Sequence, residues 1–434
     1  MNSKVRTRFA PSPTGFLHVG GLRTALYNYL FAKQNGGKFI LRIEDTDRAR
    51  TVEGAEKNII ETLRIFGLGF DEGPIRQSDN LAKYKKYSKE LVAKGAAYED
   101  DSAVRFKMPK DGVTVFADII HGEIQIDNKT QEDFVILKSD GFPTYNLAHL
   151  VDDHDMAITH VIRGDEFISS MPKYIALHKA FGWELPQYAH LPLLLDKNRA
   201  KLSKREGEVA VHDFLDDGYL KEAVLNFVAL LGWHSKTDQE IFSLEELIKE
   251  FKLERVQRAG AIFDTTKLDW MNGEYIQKKP LKDLVELSRG FFQFSISNFQ
   301  FSNEYLKKII ALEQPRLKKL SELPEKTNYF FKEPEYDATL LKWKNMDNKE
   351  IKKSLETSKE IISNFQFPIS KHDIEKIFLE RAKKFKDRGE LLWPLRVALT
   401  GKKASPGPFE IMEILGKEKS IARVASALNM LKPR

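Results

Sequence analysis

A short apolar run, Val5–Ala10, is cut off by Pro11, Pro13 and Gly15 and followed by a helical stripe of Leu22, Ala25, Leu26, Tyr29 and Leu30. Proline removes a ladder donor and glycine frees the backbone, so the strand must end in a loop there. The i, i+3, i+4, i+7 spacing then turns one helix face toward a core. Gly36-Gly37 ends that helix, Lys38–Ile43 reads as a second strand, and Glu53–Phe66 reads as a second helix. Strand–loop–helix–strand–helix leaves few topologies. The expected one is a parallel, doubly wound α/β sheet, which binds its ligands at the carboxyl edge of the strands.

Further along, Val113–Ala117, Glu123–Ile126 and Phe134–Leu137 are short β-like runs between turn residues, read as a small insertion sitting on the sheet. Val161–Arg163 and Leu191–Leu195 read as two more buried strands of the sheet. From Ala210 onward the pattern is mainly helical, as at Tyr219–Leu231 and Leu244–Phe251, and Leu281–Arg434 continues so with Lys-rich faces. At 434 residues the chain is too long for one core, and several domains are expected.

Composition excludes some classes. With no cysteine there is no disulfide and no Cys-based zinc site, so no structural zinc is expected, and the ten histidines show no ligand-like spacing. No run reaches the ~20 apolar residues of a membrane helix, and the N-terminus lacks a secretory signal. A cytoplasmic protein without membrane partners is the expectation, and a monomer. Charge is unevenly spread. Residues 301–434 hold 28 Lys+Arg against 19 Asp+Glu, whereas the first 300 hold 41 against 44. A basic helical tail suits a polyanion, and equally a solvated lysine-rich surface.

Two motifs carry the chemistry. Pro11–Gly21 bridges the first strand and helix. A helix start at the carboxyl edge is a phosphate site, Gly20 and Gly21 let a nucleotide approach the backbone, and His18 can donate to a phosphate oxygen. Alone, that could be no more than a capped helix. The second is Lys201-Leu202-Ser203-Lys204-Arg205, after the Leu191–Leu195 strand and a polar loop. Its cations can close over a triphosphate and stabilise the charge that builds as pyrophosphate leaves. Alone, that could be a basic surface loop. Together they belong at the same sheet edge.

At these residues the sequence resembles the class I aminoacyl-tRNA synthetases. His18-Val19-Gly20-Gly21 is similar to their HIGH signature in the HxGG form of bacterial glutamyl enzymes, with Gly21 in place of the last His, and Lys201–Arg205 is similar to their KMSKS loop. Arg8–Gly15, Leu41–Arg48, Pro143–Asn146, Val151–His154, Val161–Gly164, Asp217–Leu220, Leu231–Trp233, Trp270–Tyr275 and Leu392–Gly401 extend the likeness to the glutamyl-tRNA synthetase family.

The resemblance implies a Rossmann-like doubly wound parallel-sheet catalytic domain with a small α/β insertion and a mainly α-helical C-terminal anticodon-binding region. It divides the chain into 1–80 and 141–205 as the two catalytic halves, 81–140 as the acceptor-binding insertion, 206–300 as a helical stem-contact domain and 301–434 as the anticodon-binding domain. It implies ATP, Mg²⁺, L-glutamate and tRNA-Glu as ligands, with tRNA-Gln a further acceptor to test. Arg8 and Arg163 would hold the glutamate carboxylates and Glu44 the ammonium. Ala10, Ser12, Tyr145 and Asn146 would complete the pocket. His18, Gly20, Gly21, Lys201, Ser203 and Lys204 would face the phosphates and ribose, Glu166 would lie near the ribose, and Leu194 would offer backbone groups to adenine.

Ser12 and Gly21 favour glutamate over glutamine, since glutaminyl enzymes carry Glu and His there. The Cys-rich zinc module of many bacterial glutamyl enzymes is missing where Ala97–Ser102 runs into Val104–Lys107. Two other readings are a truncated relative that glutamylates a tRNA base and a non-catalytic RNA-binding paralogue. The long basic tail argues against the first, and intact His18, Glu44, Arg163, Lys201 and Lys204 against the second.

Overall fold

The computed structural model describes residues 4–200, 202, 210–292, 302–366 and 368–431, and the chain divides into two compact units, Met1–Met271 and Asn272–Arg434. The segment 206–300, expected as one stem-contact domain, spans that division.

In the first unit, β1 (Arg6–Phe9), α1 (Val19–Gln34), β2 (Lys38–Ile43), α2 (Ala55–Ile65) and β3 (Glu72–Arg76) follow the order expected from the pattern. β1 pairs parallel with β2, and β2 with β3. α1 is buried on most sides by Val19, Leu22, Ala25, Leu26, Tyr27 and Leu30. Its end needs both glycines. Gly36 has φ +60°, and a Cβ on Gly37 would fall 2.1 Å from the Val5 carbonyl oxygen.

α3 (Leu81–Ala93), β4 (Ala97–Asp100), β5 (Ala103–Phe106), β6 (Val113–Asp118), β7 (Gly122–Asp127) and β8 (Phe134–Leu137) form the next section. It leads to α4 (Tyr145–Asp155), β9 (His160–Gly164), α5 (Met171–Phe181), β10 (Gln187–Leu191) and β11 (Leu194–Leu195). The insertion does not simply sit on the sheet. β4, β5 and β8 make a separate antiparallel sheet, but the β6–β7 hairpin joins the catalytic sheet, where β6 pairs with β10 at Asp118 and Tyr188. The run 191–195, expected as one strand, is two, because Pro192 has no N–H to continue the ladder.

β9 pairs parallel with β10 and starts alongside β1, where the Thr159 N–H donates to the Arg6 carbonyl at 3.0 Å. The strands thus run β3-β2-β1-β9-β10, and the switch of winding direction lies between β1 and β9. A crevice opens there outside the carboxyl ends. α6 (Val211–Asp216), α7 (Lys221–Ala229) and β12 (Ala261–Ile262), which pairs with β11, follow, and α8 (Leu244–Glu250) packs at the far end of α1, where the Gln34 amide donates to the Ile248 and Lys249 carbonyls.

α9 (Thr265–Lys278) crosses the division. The second unit is helical: α10 (Leu281–Phe292), α11 (Asn303–Glu313), α12 (Leu323–Thr327), α13 (Asn348–Ser363), α14 (Lys371–Ala382), α15 (Arg388–Thr400) and α16 (Pro408–Met430). Its core gathers Ile309, Tyr329, Leu355, Phe378, Leu395 and Met412. No helix among the described residues is long and apolar enough to cross a membrane.

Candidate active site

Between β1 and β9 lies a cavity of about 590 Å³, lined among others by Arg8, Ala10, Ser12, Glu44, Tyr145, Arg163, Glu166 and Phe167. Arg163, on β9, is 4% exposed, and no carboxylate among the described residues pairs with it. Its Nε donates to His190 Nε2 at 3.3 Å, Nη1 reaches the Tyr145 hydroxyl at 3.4 Å and Nη2 the Met171 sulfur at 3.2 Å. The rings of Phe167 and Tyr174 each lie 4.8 Å from the guanidinium carbon. Soft and aromatic partners hold the cation in place without neutralising it. Tyr145 stacks on His149 at 4.4 Å; burial pushes its phenol up and the His149 ring down, so both are neutral.

Arg8 is placed differently. Its guanidinium donates to both oxygens of Asp153, at 3.0 and 3.4 Å, and Arg42 donates to Asp153 at 2.7 Å and to Glu44 at 3.1 Å. Arg42 is fully buried, and Asp152 beside it is held by Tyr84 and Gln77 at 2.8 Å each. Burial pushes the Glu44 carboxyl up. Arriving positive charge in the cavity would favour its ionised form.

A second cavity of about 380 Å³ continues from the first through Thr24, Gly164 and Glu166, and is lined by His18, Gly20, Gly21, Arg23, Leu191–Leu194 and Leu202. His18 caps α1, its Nδ1 accepting from the Gly20 and Gly21 N–H at 3.1 and 3.4 Å. In the neutral ring this puts the proton on Nε2, a donor suited to a phosphate oxygen. Arg23 holds the outer wall by donating to the carbonyls of Pro192 and Leu231 at 2.5 and 3.2 Å. The open cleft of about 790 Å³ around Asp45, Arg48, Glu56 and Arg64 holds none of the expected site residues.

A family model described as tRNA synthetases class I (E and Q), catalytic domain, matches residues 4–103 and 99–270, and an anticodon binding domain model matches 281–428. A glutamate–tRNA ligase of Clostridium kluyveri is 42% identical, with 99% of each chain covered, and one of Clostridium novyi is 42% identical over 99% of this chain and 98% of its own. The crystal structure of a glutamate tRNA ligase from Elizabethkingia meningosepticum in complex with its amino acid superimposes with a TM-score of 0.88 at 34% identity, covering 99% of this chain and all of that one. The chain belongs to the glutamate–tRNA ligase family of class I aminoacyl-tRNA synthetases.

For a member of this family, the expected residues are distributed as follows. Arg8, Ala10, Ser12, Glu44, Tyr145 and Arg163 line the first cavity, Glu166 lines both, and His18, Gly20, Gly21 and Leu194 line the second. Asn146, expected in the pocket, sits on α4 outside the lining of either cavity. The Leu194 carbonyl, expected to face adenine, accepts the Leu202 N–H at 3.0 Å. Lys201, Ser203 and Lys204 lie outside the described residues.

Sequence reasoning missed the carboxylates that organise the arginines. Val151–His154 marked the segment but not the roles of Asp152 and Asp153, and nothing in periodicity pointed to Asp118 or His190. Gly20→Ala tests the tight nucleotide wall. A Cβ there would lie 3.1 Å from His18 Cε1 and 3.9 Å from Leu194. The KM for ATP is expected to rise by about tenfold, the scale of a one-methyl overpacking, with the KM for glutamate unchanged, in steady-state aminoacylation.

Proposed function

We propose that this chain activates L-glutamate with ATP to glutamyl-adenylate and transfers the glutamyl group to the terminal ribose of tRNA-Glu. The observation that carries the reading is Arg163, a buried guanidinium without a carboxylate partner among the described residues. It faces a cavity that also holds Glu44 and that continues into the nucleotide cavity at the α1 start. A fork of donors takes a carboxylate and a nearby acid takes an ammonium. That pair fits an amino acid, and Arg8 in the same lining suits the cavity to one with a second carboxylate.

The glutamate α-carboxylate attacks the α-phosphorus in line and pyrophosphate leaves; the tRNA hydroxyl then attacks the acyl-adenylate and AMP leaves. Positioning and charge neutralisation supply the catalysis. Arg163, with the Arg8–Asp153 pair behind it, holds the side-chain carboxylate, and Ala10, Ser12 and Tyr145 close the pocket. His18 donates to phosphate, Gly20 and Gly21 let it approach, Glu166 reaches the ribose, and Lys201, Ser203 and Lys204 close over the leaving group.

Among the described residues no three His, Asp or Glu side chains gather around a metal position. Magnesium bound with the triphosphate would offset its charge. Residues 281–428, matched by the anticodon-domain model, supply the basic helical surface for tRNA. The reaction runs in the cytoplasm on a single copy of the chain.

The test is aminoacylation with labelled glutamate on purified tRNA-Glu and tRNA-Gln, with labelled glutamine as control. Charging of tRNA-Glu alone means a discriminating ligase. Charging of both with glutamate means one that feeds a later amidation. Charging with glutamine, or of neither tRNA, overturns the proposal.

A further inference from the structure

Beneath Arg163 lie two buried groups that do not line either substrate cavity. His190, on β10, is 0% exposed, with Nδ1 2.7 Å from Asp118 Oδ2 and Nε2 3.3 Å from Arg163 Nε. Asp118 closes β6, the strand of the inserted hairpin. Its Oδ1 accepts the N–H groups of Ile120 and His121 at 2.9 Å each, and its Oδ2 accepts the His190 backbone N–H at 3.1 Å as well as the ring. Both oxygens are occupied by donors, which leaves no place for a carboxyl proton. Burial pushes this carboxyl up, but the hydrogen bonds from His190 and the backbone outweigh it and hold it below the ordinary range.

The ring of His190 is pushed down by burial and is neutral. With Nδ1–H given to Asp118, its Nε2 carries a lone pair, the only form able to accept from Arg163 Nε–H. One tautomer therefore fixes one edge of the guanidinium. Arginine has five N–H donors. Nε and one hydrogen on each Nη face His190, Tyr145 and Met171. One donor on each Nη is left without a partner among the described residues, and a carboxylate can take a hydrogen bond from each.

We infer that His190, fixed by Asp118 of the inserted hairpin, is a positioning residue that sets the angle at which Arg163 meets the substrate's side-chain carboxylate. The inference rests on the reading of Arg163 as the carboxylate receptor. It makes the acceptor-binding insertion a structural member of the amino-acid pocket. β6 pairs with β10 at Asp118 and Tyr188, and the Ile119 N–H donates to the Tyr188 carbonyl at 2.9 Å, so the hairpin is anchored two residues from the His190 ring. Soft contacts alone would let the guanidinium rotate. A carboxylate in direct contact would compete with the substrate. A neutral acceptor backed by a buried carboxylate orients the cation and leaves its charge available.

Two amide variants separate the bonds. The nitrogen of His190→Asn sits near the imidazole Nδ1 and keeps the Asp118 bond while losing the one to Arg163. The longer side chain of His190→Gln carries its oxygen to the Nε2 position and keeps the Arg163 bond. In full-chain aminoacylation of tRNA-Glu, His190→Asn is expected to raise the KM for glutamate by about 10- to 100-fold, the size of one lost bond to a charged group. The KM for ATP should stay within about twofold, and His190→Gln should recover most of the loss. Asp118→Asn, whose NH₂ must face two N–H donors, should behave like His190→Asn.

Thermal unfolding of each variant accompanies the kinetics. Equal losses in the Asn and Gln variants, or parallel rises in both KM values with a lowered melting temperature, mean a merely structural role and overturn the inference. A normal glutamate KM in His190→Asn, beside a large defect in Arg163→Met, also overturns it while leaving the site reading intact. A normal glutamate KM in Arg163→Met removes the site reading itself.

Discussion

Arg163→Met is expected to lower kcat/KM for glutamate by roughly thirty- to five-thousandfold without destabilising the protein. A desolvated charge pair across an interface typically loses about 2–5 kcal/mol when one partner is truncated. In the proposed bound state Arg163 and the ligand carboxylate form such a pair. Without ligand the cation is 4% exposed and unpaired with any described carboxylate, so its burial is a cost carried by the folded state. Methionine fills similar volume and has no charge to desolvate. The melting temperature of the variant should therefore equal or exceed that of the natural chain. Added glutamate, which raises the melting temperature of the natural chain by mass action, should no longer do so. Steady-state aminoacylation and thermal unfolding with and without glutamate check both halves. A destabilised variant with a normal KM would mean that Arg163 is structural.

The second large effect is on folding. Asp153 is the shared counter-charge of Arg8 and Arg42 and is almost fully buried. Asp153→Ala leaves two guanidiniums without it, and breaking a buried pair in this way costs about 3–5 kcal/mol. Urea unfolding should show a midpoint lowered accordingly, at unchanged slope.

The same residue predicts a pH dependence. Burial pushes the Asp153 carboxyl up, but Arg42 and Arg8 outweigh it and hold it well below the usual range. A depressed carboxyl contributes stability that is complete above its unfolded pKa of about 3.9 and is lost as pH falls through the folded value. Asp152 and Glu44, raised by burial, act in the opposite sense. The readout is therefore the difference between the natural chain and Asp153→Ala. That gap should be full at neutral pH and shrink below about pH 4. A gap that does not change with pH would remove the ion-pair account.

Where local pattern sets structure, the sequence was readable. The strand at Lys38–Ile43, the helix that opens at the Gly20-Gly21 pair and the run Phe134–Leu137 appear with the expected bounds or nearly so. Apolar spacing, turn residues and a helix start at a strand's carboxyl edge act over a few residues, and each leaves a local mark. Arg8, Glu44 and Arg163, which the family resemblance named, line one cavity because they lie at the ends of neighbouring parallel strands.

Tertiary structure decided which of those charges is available to a ligand. Arg8 and Arg163 look alike in sequence, each an arginine at a strand end. Only the fold brings Asp153, 145 positions away, onto Arg8, and sets a neutral imidazole, with Asp118 behind it, against Arg163. Likewise the β6–β7 hairpin read as an appendage until its pairing with β10 made it part of the sheet. The type and spacing of side chains determined that this chain builds a nucleotide-binding edge with cations and an acid around it. Long-range pairing in a low-dielectric interior determined which cation stays unneutralised, because that depends on which carboxylate the folded chain brings within about 4 Å, a distance no local pattern encodes.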